Sequence, residues 1–324
     1  MSLIKVDSLS IDVLIDGAHS RVIHEVSFEV EPGEALGIVG ESGSGKSLTL
    51  RAIAGLTPPE SVMGGRIDFN DFDITEMTSD RLLEYRSSQI AMIFQDPRAA
   101  INPVRKIGDF LVENVVTNLG WSRSQARSRA VEVLTEVGIT NPEKQLRAFP
   151  SELSGGMLQR VMIASNLLYQ PDLLLADEPT TALDVTTQSS VMALIDDLRV
   201  TRGMAMIFVT HNLELAAAVC DRILVMYAGR IIESLPARNL HGHSRHPYTR
   251  ALLNARPQAE GHEKRLVAIP GQPASGLEWT TGCTYASRCS FAQEICRTDL
   301  PEMRKIGTSE VACHRADDIR WDKQ

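Results

Sequence analysis

Apolar and polar positions alternate through residues 3–31, with β-branched side chains among the apolar ones, the period-two pattern of antiparallel strands. Ala35-Leu36-Gly37-Ile38-Val39 replaces the alternation with a continuous apolar run, which suits a strand buried on both faces. Residues 62–74 predict a further strand pair joined by glycines, and residues 90–94 a short apolar strand ending at Gln95-Asp96-Pro97. The period then changes. Residues 108–119 and 124–137 carry apolar side chains three and four positions apart and predict helices. Leu173-Leu174-Leu175-Ala176, Met206-Ile207-Phe208-Val209 and Ile223-Leu224-Val225-Met226 predict three more buried strands, with an amphipathic helix over 189–199. Strands alternating with helices imply an α/β fold with a largely parallel sheet. Past about residue 235 the signal gives way to short elements separated by Pro, Gly and His. A first domain over 1–235 and a small second one over 236–324 are therefore expected, without internal repeats.

Composition narrows the class. A chain of 324 residues, 43% hydrophobic and 23% charged, has the balance of a soluble globular protein with room for one large domain and a smaller one. A net charge of −8 argues against broad electrostatic attraction to nucleic acid, and no nucleic-acid partner is expected. No apolar run approaches the roughly 18–20 residues of a membrane span. The N-terminal Met1-Ser2-Leu3-Ile4-Lys5-Val6-Asp7 lacks the architecture of a signal peptide. A cytoplasmic chain is expected, with any membrane role supplied by partner subunits.

The strand at 35–39 runs into Gly40-Glu41-Ser42-Gly43-Ser44-Gly45-Lys46-Ser47, which fits G-x-x-x-x-G-K-[ST]. Glycines let such a loop curl so that backbone N–H groups converge on phosphate oxygens. A helix expected over 47–56 adds its positive end to the same anion. Lys46 would reach the β- and γ-phosphates and Ser47 would ligate Mg²⁺. Asp177-Glu178 ends a buried strand with two carboxylates. Asp177 suits the Mg²⁺ shell and Glu178 a general base for the attacking water. At Leu153-Ser154-Gly155-Gly156, Ser154 is an expected N-cap and the glycines bare the N–H groups of a second helix start. A helical block separates it from the first loop, which suggests a composite site with ATP held between two subunits.

In this order the motifs resemble those of the ABC-transporter ATPase family, over residues 3–235. Gly40, Ser42, Gly43, Ser44, Gly45, Lys46 and Ser47 match the Walker A loop, Gln95 the Q-loop, and Ser154, Gly155 and Gly156 the signature. Asp177 and Glu178 match Walker B and its catalytic acid, Asp184 in Ala182-Leu183-Asp184 the D-loop, and His211 the switch histidine. The resemblance implies a P-loop NTPase core of the ABC ATPase type. That core would carry an antiparallel β subdomain, a helical subdomain at about 97–165 and a small cysteine-containing C-terminal domain. It implies ATP and Mg²⁺ as cofactors, with Gln95 touching metal and water and His211 contacting the γ-phosphate. Ser154 and Gly156 would contact ATP bound to the opposite subunit, and Asp184 would tie the two sites together. One departure is Val13, which stands by ungapped counting where members usually carry an adenine-stacking aromatic.

Met92-Ile93-Phe94-Gln95-Asp96-Pro97, Asp177-Glu178-Pro179-Thr180-Thr181 and His246-Pro247-Tyr248-Thr249-Arg250-Ala251-Leu252-Leu253 resemble the ATPase subunits of oligopeptide/dipeptide importers. Ala99-Ala100-Ile101 and Ala286-Ser287 depart from the commoner residues of that group. The resemblance implies a peripheral protein on the cytoplasmic face of the inner or plasma membrane. Its partners would be a second, related but different ATPase subunit, two transmembrane permease subunits and an extracytoplasmic substrate-binding protein. Related importers move nickel, glutathione or sugars, so those cargoes are the alternative. A soluble ABC ATPase fits less well, because the chain has one cassette and no long coiled coil. Cys283, Cys289, Cys296 and Cys313 are spaced C-x5-C-x6-C-x16-C, which by itself leaves zinc, an iron–sulfur cluster or free thiols open. The resemblance favours a [4Fe–4S] cluster, as some members hold one there. Cys220, in an apolar helical stretch, is expected in the core.

Overall fold

The alternating N-terminal stretch folds into two long antiparallel strands, β1 (Ile4–Ile15) and β2 (Ala18–Val30), joined by a two-residue Asp16-Gly17 turn. The structure is a computed structural model that describes residues 1–96, 100–180, 185–255, 269–278 and 281–319. β3 (Ala35–Val39) belongs to another sheet. β4 (Val62–Phe69) pairs with β1, and the short β5 (Phe72–Asp73) completes an antiparallel sheet ordered β2-β1-β4-β5. Its inner face carries Ile4, Val6, Leu9, Ile11, Ile23, Val26 and Ile67.

Among the described residues the second sheet has eight strands. β6 (Ile90–Ile93), β7 (Leu173–Asp177), β8 (Ala205–Thr210) and β9 (Arg222–Tyr227) join β3 in the order β9-β3-β8-β7-β6, all parallel. The continuous apolar runs now have their cause, because each face of this sheet is covered. Leu36, Ile38, Leu173 and Leu175 pack into the cluster shared with the antiparallel sheet, while Ala35, Val39, Leu174 and Ala176 face the helices.

Between β6 and β7 the chain leaves the sheet as a helical layer: Ile107–Thr117, Arg123–Glu136 and Gly155–Leu167. The second helix starts on Ser122, whose hydroxyl accepts from the Gln125 N–H at 3.2 Å. Leu111, Val115, Ala130, Leu134, Leu158 and Val161 close the layer on itself and on the sheet. The helix after β7 runs Val185–Arg202, longer at both ends than the amphipathic pattern predicts.

β10 (Arg230–Pro236) turns back antiparallel on β9. Two short strands of the tail, β11 (Arg304–Ile306) and β12 (Ser309–Val311), then extend the sheet: Glu233 pairs with Val311 and Ser234 with Glu310. Strands of three residues are too short to announce themselves in a hydropathy pattern. The tail's Tyr248 and Tyr285 enter the main core, while Val311, Cys313 and Ala316 form a small buried group of their own. No helix among the described residues is long and apolar enough to cross a membrane.

Candidate nucleotide-binding site

The C-terminal ends of β3, β6, β7 and β8 share one edge of the parallel sheet, where open α/β sheets bind ligands. β3 delivers the loop of residues 40–47, and the helix Lys46–Ile53 leaves it. Two glycines of the loop are obligatory. A Cβ on Gly40 would sit 2.2 Å from the Met226 carbonyl oxygen of β9. Gly45 has φ +100°, and its Cβ would meet Ile23 Cδ1 at 2.5 Å. The Lys46 ammonium is buried and donates to the Gly40 and Glu41 carbonyl oxygens, each at 2.9 Å. Burial lowers its pKa, against the pull of Glu178, Asp177 and Glu41. An incoming polyphosphate strengthens that pull, so Lys46 suits an anion site.

Ser47 donates its hydroxyl hydrogen to Asp177 Oδ1 at 2.7 Å, joining the start of the first helix to the end of β7. Burial raises the Asp177 pKa, and the Ser47 hydrogen bond opposes the rise. A hydroxyl and a carboxylate oxygen side by side are hard oxygen donors of the kind Mg²⁺ takes together with substrate phosphates and water. The donor chemistry fits that ion.

Glu178 is the centre of the site. Its backbone lies in the left-handed region at φ +46°, and its N–H donates to the Val209 carbonyl on β8. The side chain is thereby turned between two other predicted residues. Gln95 Nε2 donates to Glu178 Oε2 at 3.2 Å, and His211 Nδ1 lies 3.2 Å from Glu178 Oε1. Gln95 follows β6, Glu178 follows β7 and His211 follows β8. Three strand ends thus bring together three residues that are far apart in sequence, beside the Ser47–Asp177 pair.

Ser154 is spent on its own helix: its hydroxyl accepts from the Met157 N–H at 3.3 Å, as expected of an N-cap. Gly155 and Gly156 follow, half-buried, and a Cβ on Gly156 would lie 3.4 Å from the Thr187 methyl. The same helix reaches the acidic strand through a residue that no motif marks. Buried Gln159 donates to the Pro179 carbonyl, just past Glu178. Asp184, with Ala182 and Leu183, lies outside the described residues, as do Thr181, Pro97 and Ala99. Val13 pairs with Ser20 across the hairpin and packs with Val22 and Leu48 against the second core cluster.

Cys283, Cys289, Cys296 and Cys313 line one cleft together with His246, Tyr285, Phe291 and His314. Among the described residues, however, no group of three or more His, Cys, Asp or Glu side chains is arranged to hold a metal ion. The expectation of a metal at these cysteines, zinc or iron–sulfur, therefore meets no preformed ion site. Burial pushes the Cys283 thiol up to about 12 and that of Cys313 up to about 11, so both are protonated at neutral pH as the cleft is built. Cys220 is buried and packs under Gly37 of β3, its Sγ 3.2 Å from where a Cβ there would lie.

Comparison with known proteins gives the family. Residues 23–181 match the family described as ABC transporter, and residues 232–296 match the one described as Oligopeptide/dipeptide transporter, C-terminal region. The "Probable peptide ABC transporter ATP-binding protein y4tR" of Sinorhizobium fredii is 43% identical, over 93% of this chain and 91% of its own. The dipeptide transport ATP-binding protein DppD of Escherichia coli is 39% identical over 97% of both. Among solved structures, the dimeric post-hydrolysis state of the ATP-binding cassette MJ0796 bound to ADP and Pi aligns with a TM-score of 0.62 and 28% identity. It covers 72% of this chain and 99% of that one. With relatives about two-fifths identical along nearly its whole length, the chain belongs to the family of ABC transporter ATP-binding proteins.

Proposed function

We propose that this ABC ATPase powers the import of short peptides as a peripheral subunit on the cytoplasmic face of the membrane. One observation carries the chemistry: the Glu178 carboxylate is held between Gln95 and His211, beside the Ser47–Asp177 pair and the buried Lys46. The peptide class is supported by the match of residues 232–296 to the oligopeptide/dipeptide transporter region and by the peptide and dipeptide transport for which y4tR and DppD are named.

The loop's N–H groups and Lys46 grip the triphosphate. Ser47, Asp177 and Gln95 are the residues that would hold Mg²⁺, which when bound neutralises charge developing on the phosphates. Glu178 accepts a proton from the attacking water, and His211 contacts the γ-phosphate. Ser154, Gly155 and Gly156 complete the site of ATP bound to a second ATPase subunit. Support for that reading is their separate helix start, with Ser154 capping its own helix. Asp184 would join the two sites. Tighter ATP binding to the closed pair drives closure, and hydrolysis reverses it. The other partners are two permease subunits and an extracytoplasmic binding protein.

The test is the assembled transporter in vesicles, followed by phosphate release and uptake together. Peptide-stimulated hydrolysis with peptide accumulation is expected. Stimulation by nickel, glutathione or a sugar instead would keep the ATPase and replace the cargo. Hydrolysis with no permease partner would favour a soluble ABC ATPase.

At the four cysteines the finer reading is a [4Fe–4S] cluster held by Cys283, Cys289, Cys296 and Cys313. It is supported by their convergence on one cleft and set against the lack of a preformed ion site among the described residues. Iron and acid-labile sulfide analysis of anaerobically purified protein decides it: about four of each per chain are expected, and neither would leave a cleft of free thiols.

A further inference from the structure

Nothing in phosphate binding calls for an acid in the loop, yet Glu41 is its second residue. All its polar groups are engaged. Its N–H donates to the Tyr248 hydroxyl at 2.8 Å, and its carbonyl accepts from Lys46 at 2.9 Å. Its carboxylate takes both arms of Arg288, at 2.6 and 3.1 Å. Tyr248 and Arg288 both come from the tail.

Arg288 is held with little freedom. Its side chain is only 4% exposed. Nε donates to the Pro270 carbonyl at 2.8 Å and Nη1 to the Tyr227 hydroxyl at 3.2 Å. The guanidinium lies 5.8 and 5.9 Å from the ring centres of Tyr227 and Tyr285. Tyr227, Tyr248 and Tyr285 pack ring against ring, with centroids 4.6 to 5.3 Å apart. A planar fork fixed in this way matches a carboxylate in both position and charge. Without it, a bare carboxylate would stand at the mouth of a loop that must receive a triphosphate.

We propose that Arg288 is a positioning residue of the ATPase site: from the tail it neutralises Glu41 and fixes the loop for triphosphate binding. The tail thereby becomes part of the nucleotide site. The inference rests on residues 40–47 being that site, and Lys46→Ala checks this separately, since unchanged nucleotide binding there would remove the premise itself.

The experiment uses the full chain in the assembled transporter and separates KM from kcat for MgATP. Arg288→Gln is expected to raise KM roughly tenfold with kcat within about threefold, the pattern of weakened ground-state binding. Adding Glu41→Gln to that variant should recover most of the lost KM, because the uncompensated charge is gone and two contacting residues are non-additive. Arg288→Lys keeps the charge but not the fork and should fall between wild type and Arg288→Gln. Should Arg288→Gln fail to assemble, Arg288→Lys carries the test alone with an expected rise of about threefold. Wild-type KM in the variants, loss of kcat at constant KM, or no recovery in the double variant would each overturn the proposal.

Discussion

Glu178 gives up an ordinary backbone conformation to aim its carboxylate. A left-handed φ costs a non-glycine residue on the order of 1–3 kcal/mol, and the Val209 carbonyl holds it there. Glu178→Gln keeps the shape and removes the base. It should slow ATP hydrolysis by roughly 10²–10⁴-fold while nucleotide binding persists, read by phosphate release against equilibrium binding. Lys46→Ala should do the reverse and weaken nucleotide binding, since a buried cation aimed at the phosphates is lost. Gly40→Ala would drive a methyl group into the Met226 carbonyl, so the loop must shift and ATP affinity should collapse, measurable by calorimetry. At this scale the sequence spoke clearly about residue types and motif order. It was silent on the twist at Glu178, and on Arg288, whose partner Glu41 lies 247 positions away. Motifs are local, and neither of these is.

Among the elements, the parallel strands were legible because a strand covered on both faces must be apolar throughout, as Leu173, Leu174 and Leu175 are. The helical layer was legible by period. Leu134, fully buried in the helix Arg123–Glu136, anchors it. Leu134→Ala should cost about 2–5 kcal/mol in denaturant unfolding, the usual range for a buried leucine cut back to alanine. The resulting slack should loosen the neighbouring helix Gly155–Leu167 and its Gln159 bond to Pro179. What stayed hidden was β12. Three residues, two of them buried, leave no periodic trace, and their place beside β10 is set by tertiary pairing.

For the whole molecule, that pairing decides where the sheet ends. Without β11 and β12, β10 becomes an open edge of unpaired N–H and C=O groups. Deleting residues 304–324 should therefore yield a protein that self-associates, seen as a rise in light scattering, even though every residue of the nucleotide loop remains. Val311→Asp, which puts a charge at a fully buried position, should do the same in milder form. The edge also sets a timetable for synthesis. Ribosomes release the chain from its N-terminus, so β10 emerges long before the strand that covers it, and Glu41 long before Arg288. A nascent chain must therefore wait, its flank open to chaperones or to strands of neighbouring copies, until β11 and β12 have been made.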